Sequence, residues 1–424
     1  MNPLLKDYLA GLRSNIEVIL FFLFPIFFLT IKSWSNTIFL LICIVCLCRI
    51  CKNPSRYYLN KSFVFWSLGL VLIIPFLAEL ILYFVRDNSD IRYLDSPCRY
   101  LGAFFIFSCL SNLSNVDKLV KSFLCGCVLC LVVTFASVTY TTSGYWGARL
   151  ATYFVDPNMI AVYAVFIFSI SVIYINNIDI NYYLEKFLHV TTLFCVLYII
   201  LFSQTRTSWI SFIIVVILFI FINKNKIFYL SFYSLPLLSS AIFLSSFDDS
   251  IILNRINMGI NSFFSYFEGD NLDTSLGIRF NMILIDLYSI KETPFWGTVK
   301  EDIQNLTKIN EVFPSVTELS HHCRQYSGSH VELLAVLVRQ GVILGLLTIF
   351  SLFIFPIFIF FRGAFFEDSS SWYYKCSLIA VVCLLISSFG IQVFAYRMNV
   401  SFWALFLSLY FSLYYRNKHV VSIR

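Results

Sequence analysis

His330 is the residue of this chain best placed to take a proton. It ends a polar approach, Tyr326-Ser-Gly-Ser-His330, and the apolar pattern of a helix begins directly after it. A lone imidazole at such a point either closes a loop or, neutral near pH 7, accepts a proton from a hydroxyl. Three arginines offer complementary chemistry. Arg149 precedes the pair Asp156-Pro157, and Arg206 stands in Ser-Gln-Thr-Arg-Thr-Ser, where two apolar runs meet with almost no loop. Arg279 lies in the first turns of a loop helix predicted over Asp273–Glu292. A guanidinium so placed is either an anchor that holds its charge at a membrane surface or a bidentate ligand for phosphate or carboxylate.

Other motifs carry less. Asp156 before Pro157 reads as a helix start, with the carboxylate at the cap and proline in the first turn. Glu332 falls on a different helical face from His330, so the two form no dyad within one helix. His321, His322 and Cys323 have the composition of a metal site but not its ligand spacing, and no metal is expected. No Asp-x-Asp, P-loop or GxGxxG occurs, which argues against a nucleotide-sugar substrate; no cofactor is expected.

These residues need a membrane scaffold to hold them. The chain is 59% hydrophobic and 13% charged, and its apolar runs are long enough to cross a bilayer, at about 20 residues each. In lipid every span must satisfy its own backbone, so the expected class is all-α, a polytopic membrane helix bundle. Twelve spans fit: Ile16–Ile31, Asn36–Ile50, Ser62–Val85, Tyr100–Leu113, Ser122–Thr142, Met159–Asn176, Phe187–Ser203, Thr207–Ile222, Ile227–Ser246, Val342–Phe361, Cys376–Phe394 and Val400–Tyr415. The fourth is short and interrupted by Ser108 and Ser111. The organisation is thus a bundle over 1–246, one large outer loop over 247–330, and a C-terminal membrane segment over 331–424. In the loop helix Leu276, Phe280, Ile283, Leu287 and Ile290 recur at three- and four-residue spacing and form its apolar stripe, stopped by Thr293-Pro294 and Gly297.

Charge sets the orientation. Lys6, Arg13, Arg49, Lys52, Arg56, Lys61, Lys118, Lys121, Lys186, Lys224, Lys226, Arg362, Lys375, Arg416, Lys418 and Arg424 fall on the side of the N-terminus, which makes that side cytoplasmic. The opposite face carries mostly arginine: Arg86, Arg92, Arg99, Arg149, Arg206, Arg255, Arg279, Arg324, Arg339 and Arg397, against Lys32, Lys291, Lys300 and Lys308. Topogenic charge needs only a cation, so arginine on the disfavoured side suggests a planar bidentate partner. Of the thirteen cysteines most lie within apolar runs and behave as small hydrophobes. Cys98 and Cys323 both fall on the outer side, though spacing alone does not pair them.

Taken in order, four stretches resemble the O-antigen polymerase and O-antigen ligase superfamily of bacterial inner-membrane glycosyltransferases. They are an Arg followed by Phe-Val-Asp-Pro-Asn, Thr-Arg-Thr-Ser at a tight outer turn, Arg279 followed by Glu-Thr-Pro-Phe-Trp-Gly, and Ser-His then Glu-Leu-Leu closing on Gly341 and Gly345. The resemblance spans roughly Tyr140 to Phe361 and implies a GT-C-like bundle with one large periplasmic loop. It implies a donor and an acceptor carried on undecaprenyl pyrophosphate at the periplasmic face, without metal or nucleotide. Carried over, Arg149, Arg206 and Arg279 hold the diphosphate and His330 is the base. The family's usual His-Asn is His330-Val331 here, so any orienting amide is missing. The implied setting is the bacterial inner membrane with both termini cytoplasmic. The implied partners are membrane lipid, the two lipid-linked glycans and a polysaccharide chain-length regulator, with no nucleic acid. Phe-Val-Asp-Pro-Asn and the Phe-rich character favour a polymerase, with a ligase as the alternative. A transporter of lipid-linked glycan is the third reading; it should show internal repeats with broken helices near mid-membrane, and none is visible in the sequence.

Overall fold

The computed structural model describes residues 3–58, 61–86, 90–113, 115–140, 149–177, 180–222, 251–298, 306–366 and 371–421. The chain is an all-α membrane helix bundle. Its first part comprises α1 (Pro3–Phe28), α2 (Trp34–Lys52), the short α3 (Pro54–Tyr58), α4 (Phe63–Val85), α5 (Cys98–Leu110), α6 (Val116–Ser137), α7 (Pro157–Ile175), α8 (Tyr182–Phe202) and α9 (Arg206–Ile222). The polar segment supplies α10 (Ile251–Glu268), α11 (Ser275–Glu292), α12 (Leu306–Val312) and α13 (Glu318–Ser327). Then α14 (Glu332–Ile349) runs through a π turn, Phe350–Ile354, into α15 (Phe355–Phe366). The last two helices are α16 (Ser371–Ser387) and α17 (Arg397–Val421). Among the described residues the only strands are β1 (Thr139–Tyr140) and β2 (Leu150–Ala151), an antiparallel pair that registers Thr139 with Ala151.

Among the described residues, six helical stretches are long and apolar enough to cross a membrane: α2, α4, α6, α7, Tyr183–Phe202 of α8, and Glu332–Phe366. Ile16–Phe28, Arg206–Ile222 and Trp372–Ser387 are shorter apolar helices. The expected span Ile227–Ser246 lies outside the described residues. The expected fourth span is the 13-residue α5, short for a full crossing.

Two helices form the centre. Every residue of α7 is buried, as are residues 398–415 of α17. Because lipid tails are as apolar as leucine, association in the bilayer rests on close packing and interhelical hydrogen bonds. Both are present. Phe402 lies with its ring centroid 4.5 Å from Phe28, 5.5 Å from Phe123 and 5.6 Å from Phe166. Serines on one face of α17 meet α5: Ser408 donates to the Ala103 carbonyl at 2.9 Å, Ser412 to that of Phe107 at 3.3 Å, and Ser401 accepts from Arg99 Nε at 2.9 Å.

The polar segment is anchored to a break in a span. The helix expected directly after His330 is α14, which begins at Glu332 and loses helical geometry at Gly341, just before the expected span start at Val342, with φ 74° and ψ 173°. The loop end 294–298 crosses there. The Val342 amide donates to the Pro294 carbonyl and the Thr298 amide to that of Val338, both at 2.7 Å. A Cβ on Gly341 would collide with the Phe295 carbonyl, and one on Gly297 with the Gly341 amide. The helix thus opens only where another backbone satisfies its bonds. Arg86 adds hydrogen bonds to the Trp296 and Arg339 carbonyls.

The loop helix exists where expected, as α11, with Thr274 capping the Gly277 amide at 3.1 Å. Its buried face differs from the predicted stripe. Met282, Ile285, Asp286 and Ser289 point inward, while Leu287 is exposed and Phe280 packs against the rings of Tyr266 and Phe267 of α10. A buried carboxylate has turned the helix, and its partner is described next. Helices α10, α12 and α13 have no counterpart in the sequence reading. Ile309 and Val316 join Ile285 and Tyr288 in a small satellite core that holds α12 in place.

Candidate functional site

His330 sits between two anchors. On one side, Ser329 donates its hydroxyl to Asp286 Oδ2 at 2.6 Å and accepts from the Val331 amide at 3.1 Å. Asp286 is fully buried and its other carboxylate oxygen pairs with Nε of Arg324, itself 4% exposed. Burial pushes the Asp286 carboxyl up, against the opposing pull of Arg324 and of the Ser329 hydrogen bond. On the other side, the Glu332 amide donates to the Ser388 carbonyl at 2.9 Å and the Glu332 carboxylate accepts from the Phe394 amide at 3.1 Å. One anchor is the loop helix and the other is the turn between α16 and α17. Glu332 serves the second anchor rather than the imidazole.

His330 itself is half-buried, and its pKa is lowered from 6.5 to about 4. Burial is the largest cause, followed by the positive charges of Arg279 and Arg324. The imidazole is therefore neutral at physiological pH and carries a lone pair. Arg279, half-buried in α11, is thus brought within electrostatic reach of His330.

Arg149 and Arg206 both belong to the surroundings of the α8–α9 turn. Arg149, 8% exposed, donates from Nε to the Ser203 carbonyl at 2.7 Å and from Nη2 to Asn158 Oδ1 at 2.9 Å and Thr205 Oγ1 at 3.0 Å. It ties the α8–α9 turn to the start of α7. Thr205 reinforces the tie through the Pro157 carbonyl at 3.2 Å. Asp156 caps α7 as expected, accepting from the Asn158 and Met159 amides at 2.8 and 3.2 Å, and also receives the Tyr396 hydroxyl at 3.0 Å. The turn needs a left-handed residue and uses Gln204, at φ 56°. Arg206 follows as the first residue of α9, half-buried, with its guanidinium over Gly259 of α10. A Cβ on Gly259 would lie 2.7 Å from Arg206 Cζ.

The four residues therefore fall at two places: Arg279 acts on His330, and Arg149 holds the turn that Arg206 follows. Helix α10 links the two places, touching Arg206 at Gly259 and packing along α11, which carries Arg279. Sequence reasoning missed Asp286, Ser329 as its partner, and the role of Arg324. A signal existed: Asp286 is the one carboxylate in Met-Ile-Leu-Ile-Asp-Leu-Tyr, an otherwise apolar stretch. Cys98 and Cys323 are both free thiols.

No curated protein matches the chain. Residues 191–350 match the family model described as O-antigen ligase. That stretch contains Arg206, Arg279, Asp286, Arg324 and His330, while Arg149 precedes it. The match supports the O-antigen polymerase/ligase superfamily, a group of membrane glycosyl-transferring proteins, without separating polymerase from ligase.

Proposed function

We propose that this protein is an inverting membrane glycosyltransferase that polymerises oligosaccharide repeat units carried on undecaprenyl pyrophosphate, working at the periplasmic face of a bacterial inner membrane. The observation that carries this reading is a neutral imidazole, held from both sides, with a guanidinium on α11 acting on it and another opening α9. His330 takes the proton of an acceptor sugar hydroxyl. The hydroxyl oxygen attacks the anomeric carbon, and the bond from that carbon to the diphosphate oxygen breaks. The electron pair leaves with undecaprenyl pyrophosphate, whose developing charge Arg206 and Arg279 neutralise. Attack opposite the leaving group inverts the anomeric centre, and His330 then releases its proton to water. Arg149 contributes by holding the turn that presents Arg206. The lysines that flank the spans on the side of the termini support cytoplasmic termini.

A ligase, transferring the same glycan to lipid A–core, is the second reading, favoured by the description of the matching family model. The glycan left on cells without this protein separates the two. A single repeat on lipid A–core identifies the polymerase. No attached glycan, with polymer remaining on the carrier lipid, identifies the ligase. Repeats trapped on the cytoplasmic face identify a transporter, and an unchanged glycan overturns all three.

A further inference from the structure

A cavity of about 250 Å³ opens beside the His330 approach, with Arg324 and Gly328 in its wall. None of Arg149, Arg206 and Arg279 lines it. Its polar groups are of mixed kind: the Glu79 carboxylate, the Gln392 amide, the Ser327 hydroxyl and three guanidinium groups, together with the half-exposed ring of Tyr93. Two of those arginines already have carboxylate partners, Arg324 with Asp286 and Arg339 with Glu79 at 2.6 Å. Paired guanidinium groups make a poor host for a second anion. Amides, hydroxyls and ion-paired donors and acceptors beside an aromatic face suit a neutral polyhydroxyl ligand.

A second observation points the same way. A smaller pocket shares Arg339 with the cavity and reaches inward past Glu332 to Tyr100 and Gln340. The Tyr100 hydroxyl and Gln340 Oε1, on residues 4% and 1% exposed, have no hydrogen-bond partner among the described residues. Buried polar atoms are rarely left unsatisfied, so this recess is built to receive hydroxyl groups, of water or of a guest. The cavity wall also includes Thr298 and Val338, at the Gly341 break where irregular backbone enters a span. Such breaks occur where backbone is buried or lines a polar chamber.

We infer that this cavity binds the terminal sugar of the acceptor glycan. The inference rests on the glycosyltransferase reading. In an in-line displacement the attacking hydroxyl and the leaving diphosphate lie on opposite sides of the anomeric carbon. With the diphosphate on Arg206 and Arg279, the acceptor must approach from elsewhere, and this cavity shares Arg324 with His330 but neither diphosphate arginine.

The test uses the purified full-length protein in nanodiscs and two probes, a lipid-free repeat oligosaccharide and undecaprenyl pyrophosphate without sugar. Tyr93→Ala and Gln392→Ala, on separate segments, should each weaken oligosaccharide binding about tenfold, the loss of one good contact, while carrier binding stays within about twofold. Arg206→Lys should do the reverse. Unchanged oligosaccharide binding in both cavity variants overturns the inference, as does a parallel loss of carrier binding. If native protein transfers glycan while both cavity variants bind oligosaccharide normally, the cavity assignment alone falls. If native protein transfers no glycan, both readings fall.

Discussion

Ser329 donates its hydroxyl to Asp286 at 2.6 Å across 43 residues of chain, and this bond fixes the residue before His330 to the loop helix. Glu332, on the far side, binds the Phe394 amide of the α16–α17 turn. His330 is thus the joint between the helices of the polar segment and the packed bundle. A general base needs this kind of support, because a small misplacement of the proton acceptor costs rate steeply.

Asp286→Asn should cost about 3 kcal/mol of stability, since it strands Arg324 as a buried charge without a counter-ion. The double variant Asp286→Leu with Arg324→Met should recover most of that stability, because replacing both members of a buried pair is often neutral. Activity should not recover with it, as Ser329 still lacks its tie to α11 through Asp286. Thermal unfolding in detergent and glycan transfer are the paired measurements. A double variant that regains both would make Asp286 a fold residue only.

The pH dependence should be unusual for a histidine. Because burial and the two arginines lower the His330 pKa to about 4, kcat/KM should keep its acidic limb near that value rather than near 6.5. The limb in kcat should lie higher, since a bound diphosphate favours the imidazolium. The sign for stability follows. Between about 4 and 6.5 the unfolded chain binds a proton that the folded chain refuses, so this contribution is complete above 6.5 and is lost as pH falls toward 4. His330→Ala should remove the kinetic limb and leave folded protein that accumulates single repeats. An acidic limb of kcat/KM near 6.5 would remove His330 from the role of base.

The membrane class and most helix positions were legible because apolar runs, caps and breakers are local. Ser62, Asp156 and Thr274 cap the helices that follow them. The buried face of α11 was not legible. Its apolar stripe pointed at Leu287, whereas the core received Asp286, because Arg324 arrives from a helix with no strong period of its own. The outer arginines show the same limit. Their number suggested a ligand, yet Arg86, Arg99, Arg149, Arg324, Arg339 and Arg397 all have partners in the fold. Composition shows a bias, and only tertiary pairing shows how much of it is architecture.

Gly259 offers a test of Arg206 that leaves Arg206 in place. A methyl group at Gly259 would press on the guanidinium, so Gly259→Ala should displace it and lower activity at least about tenfold. The same change should raise the intrinsic stability of α10 by about 1 kcal/mol, because alanine is the better helix former. Activity and helix content moving in opposite directions would mark a positional defect. Arg206→Lys should also lose most activity, since lysine keeps the charge but not the fork. Full activity in both variants would end the proposal that Arg206 holds the diphosphate.

Arg149 separates scaffold from ligand. Its contacts with Ser203, Asn158 and Thr205 place it inside the fold, so Arg149→Lys should lower thermal stability by about 3 kcal/mol as buried charge-assisted bonds are lost. Carrier binding should weaken only as far as the α8–α9 turn loosens. Thr205→Val, which removes one of those partners while leaving both arginines, should reproduce a weaker form of the same defect. In Arg206→Lys, by contrast, carrier binding should fall by more than any shift of the unfolding midpoint accounts for. If Arg149→Lys keeps its unfolding midpoint and loses carrier binding as Arg206→Lys does, Arg149 touches the diphosphate directly.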